Sequence, residues 1–579
     1  MKRDSAPHHE SASDRYAFLA ESLEDEHEAA VLRGVLAGAR DVDATVLCVA
    51  GGNIDDAIPE RRAWNFGFDV AGAENARGVL VLSSAIGNTL GPSGLAAWLE
   101  RFGSLPSTCI GVRVPGHPSV VVDNAGGIRA LVLHLTREHG ARHVGFVRGP
   151  EGSVEAELRF AAYREALVEE GLELDERLVA TGDYTKASGA RAVHAIFDER
   201  KVHAPLVDAL VCANDFMALG AIDELGRRGV HVPEDLAVVG FDDVDSARTA
   251  HPALTTVRQP SSELGREGIR RLVAAAHGKS EPDGVLATEL VVRRSCGCLP
   301  AEVALATQAS LLPGRGVETS FVQRRQLILA EVVRASQGRF GAAGAGWEGR
   351  LIDALVGELR SGESGIFLRA LEHCLRRLEF GRGDVSAVQD VLSALRRQSL
   401  PCVTTDTAAR QRLEQALHDA RAAAAAFSSQ LDATRVREAV ERFKRFERRA
   451  RGAMLSRPDE LSNIAAEELP GLGVEACVVA SFTRPDETGG PMRLLFGFGR
   501  SGGRARAEST SLRLLPLHPL LERASRALVV LPVTLETRPL GIAVVSVSTV
   551  DGTMLEDLRD FLATVLGVSA LTKQSVPPG

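Results

Sequence analysis

The chain has 579 residues, and at roughly 150 residues per domain this length predicts about four folding units. It holds 67 Lys and Arg against 76 Asp and Glu, a formal net charge of -9, with 45% hydrophobic and 25% charged residues. These fractions are typical of a globular protein and argue against a disordered or fibrous one. The acidic balance disfavours a dedicated nucleic-acid binder, which needs excess Lys and Arg, although it leaves room for one small basic module.

The chain shows no sign of export or membrane insertion. Its eight cysteines are too dilute for a disulfide scaffold, which indicates a reducing compartment. Residues 1–14 are polar and predict a disordered arm without a secretory signal. Because no stretch reaches about 18 uninterrupted apolar residues, we expect no membrane span. The sequence predicts a cytoplasmic protein with no membrane partner.

Residues 15–298 alternate short apolar runs with amphipathic helical patterns, which is typical of parallel βαβ units. These strands are too many for one small sheet, so the expected fold class is α/β with two Rossmann-like lobes. The predicted strands are 16–19, 44–49, 78–82, 107–112, 143–147, 209–212 and 236–240. The predicted helices include 28–39, 126–138, 157–170 and 216–228.

Residues 299–455 carry helical patterns only, and we expect an all-α connector there. A heptad seam runs through Leu413, Leu417, Ala420, Ala424, Phe427 and Leu431. It indicates either a long helix packed within its own domain or a dimerising signal helix, and we give the two equal weight. The basic run 435–451 is interrupted by glutamates, which favours a solvated helix face over a DNA contact.

Residues 456–572 return to mixed α and β, followed by a tail at 573–579. Strands are predicted at 476–482, 492–496, 527–533 and 541–547, with a closing helix at 554–571. Because turns rather than helices join these strands, we expect an antiparallel sheet with flanking helices, an α+β domain.

Several segments between residues 15 and 298 resemble the effector-binding core of the LacI/GalR transcription-regulator family, itself similar to periplasmic sugar-binding proteins. The segments follow the order and spacing of that family over roughly half the chain. They are Val122-Asp123-Asn124, His143-Val144-Gly145-Phe146-Val147, Arg159-Phe160-Ala161-Ala162-Tyr163, Ala213-Asn214-Asp215-Phe216-Met217-Ala218-Leu219-Gly220, Val238-Val239-Gly240-Phe241-Asp242-Asp243 and Pro252-Ala253-Leu254-Thr255-Thr256-Val257-Arg258-Gln259-Pro260.

The resemblance implies a type I periplasmic-binding-protein-like fold with a small ligand held between the lobes. It places three hinge crossovers near Asp123, Thr256 and Leu290. Closure of two lobes on a small molecule converts binding energy into a domain rotation, which is a switch without covalent chemistry.

The resemblance also implies four ligand-binding residues: Arg159, Tyr184, Asn214 and Asp242. The arginine presents oriented donors, the asparagine donates and accepts, the aspartate accepts from hydroxyls, and the tyrosine stacks on a sugar ring. Each has a structural alternative. The asparagine or aspartate could cap a loop, the tyrosine could be core, and the arginine could pair with Glu155 or Glu157.

The resemblance implies a sugar-like ligand by default. Two departures from the family's sequence pattern weaken that expectation. Ser261 stands where sugar-binding relatives often carry an aromatic residue, and the stretch Ser22 to Glu28 is unusually acidic. An amine-bearing ligand is therefore a competitor. The acidic residues Glu24, Asp25, Glu26 and Glu28 are nevertheless better explained as a helix start, where carboxylates favour the helix dipole.

Family repressors carry a helix-turn-helix before the first strand, whereas the first predicted strand here begins near residue 15. We therefore expect no operator reading by the usual route. The rest of the chain looks like bacterial multi-domain sensors in which a LacI-type module precedes helices, a GAF-like domain and an output module. The matching stretches include Glu467 to Val474, Leu528 to Val533 and Leu540 to Val545.

No catalytic signature is present, so we expect no enzyme and no cofactor. Phosphate-binding loops, H-E-x-x-H and G-x-S-x-G are all missing. Cys296 and Cys298 form a lone C-x-C, and two thiols cannot close a tetrahedral zinc site, which needs four ligands. We therefore expect structural cysteines and predict no metal site.

The sequence predicts a ligand-responsive regulatory protein in which the helical segment relays lobe closure to the GAF-like domain. Its expected partners are a small-molecule effector, a second copy in a homodimer and an output protein. The alternative is a LacI-type transcriptional regulator that contacts DNA through an unconventional surface.

Overall fold

The structure is a computed structural model that describes residues 14–87, 90–202, 206–279, 281–298, 317–380, 387–456, 460–484, 488, 490–500, 502–504, 509–521, 527–548 and 552–574. The chain forms two compact units, one of residues 1–298 with 442–579 and the other of residues 299–441. The sequence length predicted about four folding units, whereas the structure divides into two compact units. Among the described helices, none combines the length and the apolar character that a membrane span requires.

The first lobe is a parallel sheet flanked by helices. Strands and helices are numbered in chain order. Its strands are β1 Arg15–Ala20, β2 Thr45–Ala50, β3 Val79–Leu82, β4 Ser107–Ile110, β5 Ser119–Val122 and β11 Gly284–Leu286, in the order β11-β5-β4-β3-β1-β2. Its helices are α1 Glu26–Asp41, α2 Pro59–Arg62, α3 Ser83–Ile86, α4 Gly91–Leu99 and α10 Ser261–Ala276.

Helices α1 and α10 pack with their backbones in contact. A Cβ at Gly34 would lie 1.8 Å from the carbonyl oxygen of Ser262, and one at Gly265 would lie 2.1 Å from that of Val31. Only glycine fits so close an approach. These two positions therefore fix α10 on the first lobe, although the strand before it belongs to the second.

The second lobe is a separate six-stranded sheet in the order β12-β10-β9-β8-β6-β7, parallel except for β12. Its strands are β6 Val144–Arg148, β7 Val179–Thr181, β8 Ala209–Cys212, β9 Ala237–Asp242, β10 Thr255–Arg258 and β12 Glu289–Val291. Its helices are α5 Asn124–Glu138, α6 Val154–Glu169, α7 Lys186–His194, α8 Asp215–Arg227 and α9 Asp245–Thr249. The two-lobed α/β architecture expected from the sequence is confirmed.

The chain crosses between the lobes three times, and two of the predicted crossovers are misplaced. The first lies at Asp123, as expected, between β5 and α5. Thr256 lies inside β10 and is buried, so the second crossover falls at Gln259 and Pro260, after that strand ends. Leu290 lies inside β12, so the third falls between β11 and β12. Both displacements follow from strands β10 and β12, whose four and three residues give little sequence signal.

The C-terminal part of the chain forms an antiparallel sheet with helices. Its elements are α16 Leu461–Glu468, β13 Val474–Phe482, β14 Met492–Phe498, β15 Ser509–Thr510, β16 Ala527–Leu535, β17 Arg538–Val547 and α17 Gly552–Gln574. The sheet order is β16-β17-β13-β14-β15, with every pair antiparallel.

This C-terminal sheet continues the sheet of the first lobe. Strand β16 pairs in parallel with β2, with Val529 opposite Cys48, so the two sheets form one of 11 strands. Side chains reinforce the junction: the Trp64 indole donates to Thr534 Oγ1 at 3.0 Å, and the buried Arg559 guanidinium lies 3.5 Å from the centroid of the Trp64 ring. The first lobe and the C-terminal part therefore share one core.

The second unit is helical in its described residues. It contains α11 Val317–Ala335, α12 Trp347–Ser361, α13 Ile366–Phe380, α14 Val388–Ser399 and α15 Thr407–Ser456, the last of which enters the larger unit at Arg442. The heptad positions Leu413, Leu417, Ala420 and Ala424 are buried in the unit's own core, and Phe427 packs against that core. This favours a helix packed within its own domain; the Leu431 side chain lies outside the described residues.

Candidate functional site

A cleft of about 250 Å³ lies between the two lobes, where the carboxyl ends of both parallel sheets meet. The first lobe lines it with residues that follow β1, begin α1 or lie in α3. The second lines it with residues that follow its strands or face them from α6. The lining includes Glu21, Ser22, Asp25, His27, Glu28, Ser84, Glu155, Arg159, Asp183, Tyr184, Asn214, Phe216, Asp242 and Gln259. All four predicted ligand-binding residues are therefore brought together.

Arg159 is the buried cation of the cleft, with 3% of its surface exposed. Its Nε donates to Asn124 Oδ1 at 2.7 Å and its Nη1 donates to the Ala213 carbonyl at 2.7 Å, while its guanidinium stacks over Phe241 at 3.9 Å. Burial alone would lower the pKa of Arg159, but Glu155 and Asp242 raise it above its ordinary value. The guanidinium is thus held charged and in one orientation.

Asp242 ends β9 and lies across from that arginine, with its Oδ1 3.7 Å from Arg159 Nη1. The Gln259 amide donates to the same oxygen at 2.5 Å. Burial raises the pKa of the Asp242 carboxyl to about 6, although Arg159 and His27 oppose the shift. Its φ of 124° is unusual for a residue with a side chain and marks a backbone held by its surroundings. The carboxyl is therefore poised to change charge near neutral pH.

Asn214 has the capping role named as its structural alternative, and it also lines the cleft. Its Oδ1 accepts from Met217 N at 2.9 Å at the start of α8, and its Nδ2 donates to the Tyr184 carbonyl at 3.0 Å. Tyr184 has φ 67° and its hydroxyl lies 3.3 Å from Ser153 Oγ. Burial raises the pKa of its hydroxyl to about 12. Both residues shape the wall of the cleft.

The acidic stretch of the first lobe caps its own helix, and two of its members, Asp25 and Glu28, also line the cleft. Asp25 is the N-cap of α1 and accepts from Glu28 N at 3.0 Å. Glu28 in turn accepts from the backbone N–H groups of Glu21 and Ser22 at 2.9 and 3.2 Å. Burial, followed by Asp56 and Asp25, raises the pKa of Glu21 to about 7.

The lining also contains residues that were not predicted from the sequence, among them Glu21, His27, Ser84 and Gln259. Two of them follow strand ends, Glu21 after β1 and Gln259 after β10, so strand-end polarity was the available signal. His27 contacts Ser261, with Nδ1 and Oγ 3.0 Å apart, so the hydroxyl at position 261 has a polar partner.

The lobes also meet directly beside the cleft. Glu26, in the first turn of α1, accepts from the backbone N–H and the hydroxyl of Ser246 in α9, at 2.9 and 3.3 Å. Of the two pairings considered for Arg159, the one with Glu155 is present at 3.6 Å, whereas Glu157 pairs with Arg148 at 2.5 Å.

The Cys296 and Cys298 thiols lie away from the cleft, against α5 of the second lobe. There the structure places them beside His134 and His139, with all four ligand atoms within 4.8 Å of one another. The C-x-C pair alone supplies only two of these four ligand atoms. The other two come from histidines five residues apart at the end of a predicted helix, and no local pattern connects them to the cysteines.

Residues 133–296 match the family model described as periplasmic binding protein-like domain. Over 178 residues the chain is 43% identical to the HTH-type transcriptional regulator CelR of Thermobifida fusca, covering 30% of this chain and 51% of CelR. Over 185 residues it is 34% identical to the HTH-type transcriptional repressor CytR of Escherichia coli K12, covering 32% of this chain and 53% of CytR. The chain thus spans about half the length of these relatives.

Solved structures of similar proteins include a transcriptional regulator CelR–cellobiose complex, at 32% identity and TM-score 0.42, covering 49% of this chain and 84% of that one. A LacI family transcriptional regulator from Mycobacterium smegmatis matches at 28% identity and TM-score 0.43, covering 49% and 99%. The relatives are named as regulators and not as enzymes. We conclude that this chain carries a two-lobed, type I periplasmic-binding-protein-like domain of the kind found in LacI-family transcriptional regulators.

Proposed function

We propose that this protein is a cytoplasmic, ligand-responsive regulator that binds a small polar metabolite between its two lobes. The observation that carries the proposal is the buried Arg159 opposite Asp242 in an interlobe cleft of about 250 Å³. Such a cleft offers oriented donors and acceptors, which suits the binding of a small polar ligand. The resemblance to named transcriptional regulators supports a role in transcription regulation.

A sugar-like ligand fits the cleft best. A hydroxyl can donate to a carboxylate such as Asp242 and accept from a guanidinium such as Arg159, so adjacent hydroxyls can bridge the pair. Tyr184 lines the same cleft and offers an aromatic surface. The competing amine-bearing ligand would instead rely on Glu21 and Asp183, which also line the cleft.

We propose that ligand-driven lobe movement reaches the C-terminal domain directly through the shared sheet. The β2–β16 pairing and the Trp64 contacts join that domain to the first lobe, so the helical unit is not needed as the relay. The strand order of the C-terminal sheet suits the GAF-like domain expected from the sequence. The output would act on a partner protein, and the regulator would act as a homodimer like relatives of the resembled family.

The alternative function is direct DNA binding, which the names of the HTH-type relatives favour. The basic run of α15 offers little support for it, because Arg449 pairs with Glu467 and Glu468, each at 2.7 Å. The comparisons leave without support the prediction that this protein acts with no helix-turn-helix. Steep salt-dependent binding of the chain to its own promoter would establish the alternative, and no retention on that DNA at low salt would remove it.

The proposed site is tested by thermal unfolding of the full chain with cellobiose as a neutral sugar and spermidine as a polyamine. A bound ligand must raise Tm, because it binds the native state only. For the ligand that does so, Arg159→Ala and Asp242→Ala should weaken binding by roughly 100-fold, as expected for truncation of a buried charged pair. Arg164→Ala, at an exposed position of the same helix α6, is the control and should bind normally. Binding unchanged in both cleft variants would refute the site.

A further inference from the structure

The second lobe holds a compact group of two cysteines and two histidines that the proposed ligand cleft does not use. His134 lies in the last turns of α5, His139 caps the C-terminal end of that helix, and Cys296 and Cys298 follow β12. The four side chains come from segments about 160 residues apart in the sequence, with separations such as 162 between His134 and Cys296. The fold therefore brings together thiol and imidazole groups, which are soft and borderline metal ligands. No local sequence motif contains all four of them.

The distances among these atoms match the edges of a zinc tetrahedron. With Zn–N of about 2.0–2.1 Å and Zn–S of about 2.3 Å, such a tetrahedron has N–N edges of about 3.3 Å and N–S edges of about 3.6 Å. His134 Nε2 and His139 Nε2 are 3.3 Å apart. Cys296 Sγ is 3.4 Å from His134 Nε2, and Cys298 Sγ is 3.7 Å from His134 Nε2 and 3.3 Å from His139 Nε2.

The backbone around the cluster is shaped to aim these ligands at one point. Gly297, between the cysteines, has φ 100°, which side-chain-bearing residues rarely adopt, and its N–H donates to the Arg294 carbonyl at 2.9 Å. The Thr255 hydroxyl donates to Cys296 Sγ at 3.1 Å, the kind of outer hydrogen bond that holds a thiolate ligand in place. Ser295 anchors the same segment through its hydroxyl, which accepts from Thr255 N at 2.8 Å.

We propose that His134, His139, Cys296 and Cys298 form a structural zinc site. Two thiolates and two neutral imidazoles balance the charge of one Zn²⁺, so the complex is neutral where it is partly buried. Four protein ligands leave no open position for water or substrate, which makes the site structural and not catalytic. The ion would fasten the final segment of the two-lobed module, residues 293–298, to helix α5 of the second lobe.

The test measures bound metal in the full chain, produced without a polyhistidine tag and freed of loose metal by gel filtration. Elemental analysis should find about one zinc per chain, and X-ray absorption at the zinc edge should show two sulfur and two nitrogen neighbours. Replacement by Co²⁺ should give the intense visible bands of a tetrahedral thiolate complex. Less than about 0.1 zinc per chain after incubation with excess Zn²⁺ would overturn the proposal.

Variants at the more accessible ligands separate this site from adventitious binding. Cys298→Ser and His139→Asn should each reduce zinc affinity at least 10-fold and lower Tm by roughly 5 °C, because the stabilising ion is lost. His277→Asn, at an exposed histidine outside the cluster, is the control and should keep its zinc. Since both ligand changes are small and lie toward solvent, circular dichroism of the variants should remain that of the wild type. Zinc retained in full by both ligand variants would place the ion elsewhere and refute the site.

Discussion

The two lobes are both mostly parallel sheets flanked by helices, but they differ in which residues they contribute to the cleft and in what they pack against. The second lobe supplies all four predicted ligand-binding residues, and the match to the periplasmic binding protein-like family, residues 133–296, falls almost entirely on it. Of the first lobe only α10 and β11 lie within that match, and its sheet runs on through β2 and β16 into the C-terminal domain. The four predicted ligand-binding residues and the junction with the C-terminal domain therefore lie in different lobes. The first lobe instead forms one sheet and one core with that domain.

The largest loss of stability should come from a substitution that disrupts the sheet shared by the first lobe and the C-terminal domain. Val529 is fully buried in β16 opposite Cys48, so Val529→Asp places an unpaired carboxylate inside the core. We expect the free energy of unfolding to fall by about 4 kcal/mol or more, with loss of ligand binding. Urea unfolding followed by tryptophan fluorescence measures the change.

Leu535→Asp, in the same strand but 46% exposed, is the matched control for that variant. It should change the free energy of unfolding by about 0.5 kcal/mol at most. Equal effects of the two aspartates would mean that β16 does not belong to a core shared with the first lobe.

A smaller change in stability should come from substituting Glu21, the carboxyl group that follows β1 of the first lobe and lines the cleft. Because burial raises the pKa of Glu21 to about 7, the folded state favours its protonated form. The stability that this proton gives is complete below about pH 4.5, the ordinary value, and is lost as pH rises through 7. Glu21→Gln should therefore stabilise the protein by about 2 kcal/mol at pH 8 and by much less at pH 4.5.

Urea unfolding at the two pH values measures this difference. Glu60→Gln, at an exposed position of α2, is the control and should differ from wild type by about 0.5 kcal/mol or less at both. A stabilisation by Glu21→Gln that is the same at both pH values would show that the carboxyl is not strained in the folded state.

The smallest effect should be on ligand affinity, when the direct contact between the two lobes is removed. Glu26→Ala removes the two hydrogen bonds to Ser246, together worth about 1 kcal/mol, and so shifts the population toward separated lobes. The Kd of the cleft ligand, measured by calorimetry, should rise about 3- to 10-fold. Glu60→Ala should leave it unchanged. An unaltered Kd in Glu26→Ala would mean that this contact does not bias lobe closure.

Much of the larger unit could be predicted because its core strands are continuous apolar runs. The predicted strand 209–212 coincides with β8, and the predicted helices 126–138 and 216–228 differ from α5 and α8 by two residues or fewer at each end. Strands β5, β7, β10, β11 and β12 were missed because three or four residues carry little periodicity. This error displaced two of the three crossovers.

The parts that could not be predicted depend on contacts between distant segments. Pairing of β2 with β16 joins residues more than 470 positions apart, as the Trp64–Thr534 contact also does with its separation of 470. Likewise the Cys296-x-Cys298 pattern shows two ligands, and only the fold adds His134 and His139. Resemblance supplied the cleft residues themselves, whereas their pairing and pKa shifts required the structure.

The lengths of the outermost strands have a further consequence for how the protein behaves at high concentration. Within the described residues, the 11-stranded sheet ends in β15, of two residues, and β11, of three, and the six-stranded sheet ends in β7 and β12, of three each. An open sheet edge is a template for pairing with another molecule, and very short edge strands offer too few hydrogen bonds for that pairing to persist. The longer β2, which would otherwise present six residues, is covered by β16. Docking of the C-terminal domain therefore also protects the protein from edge-to-edge aggregation.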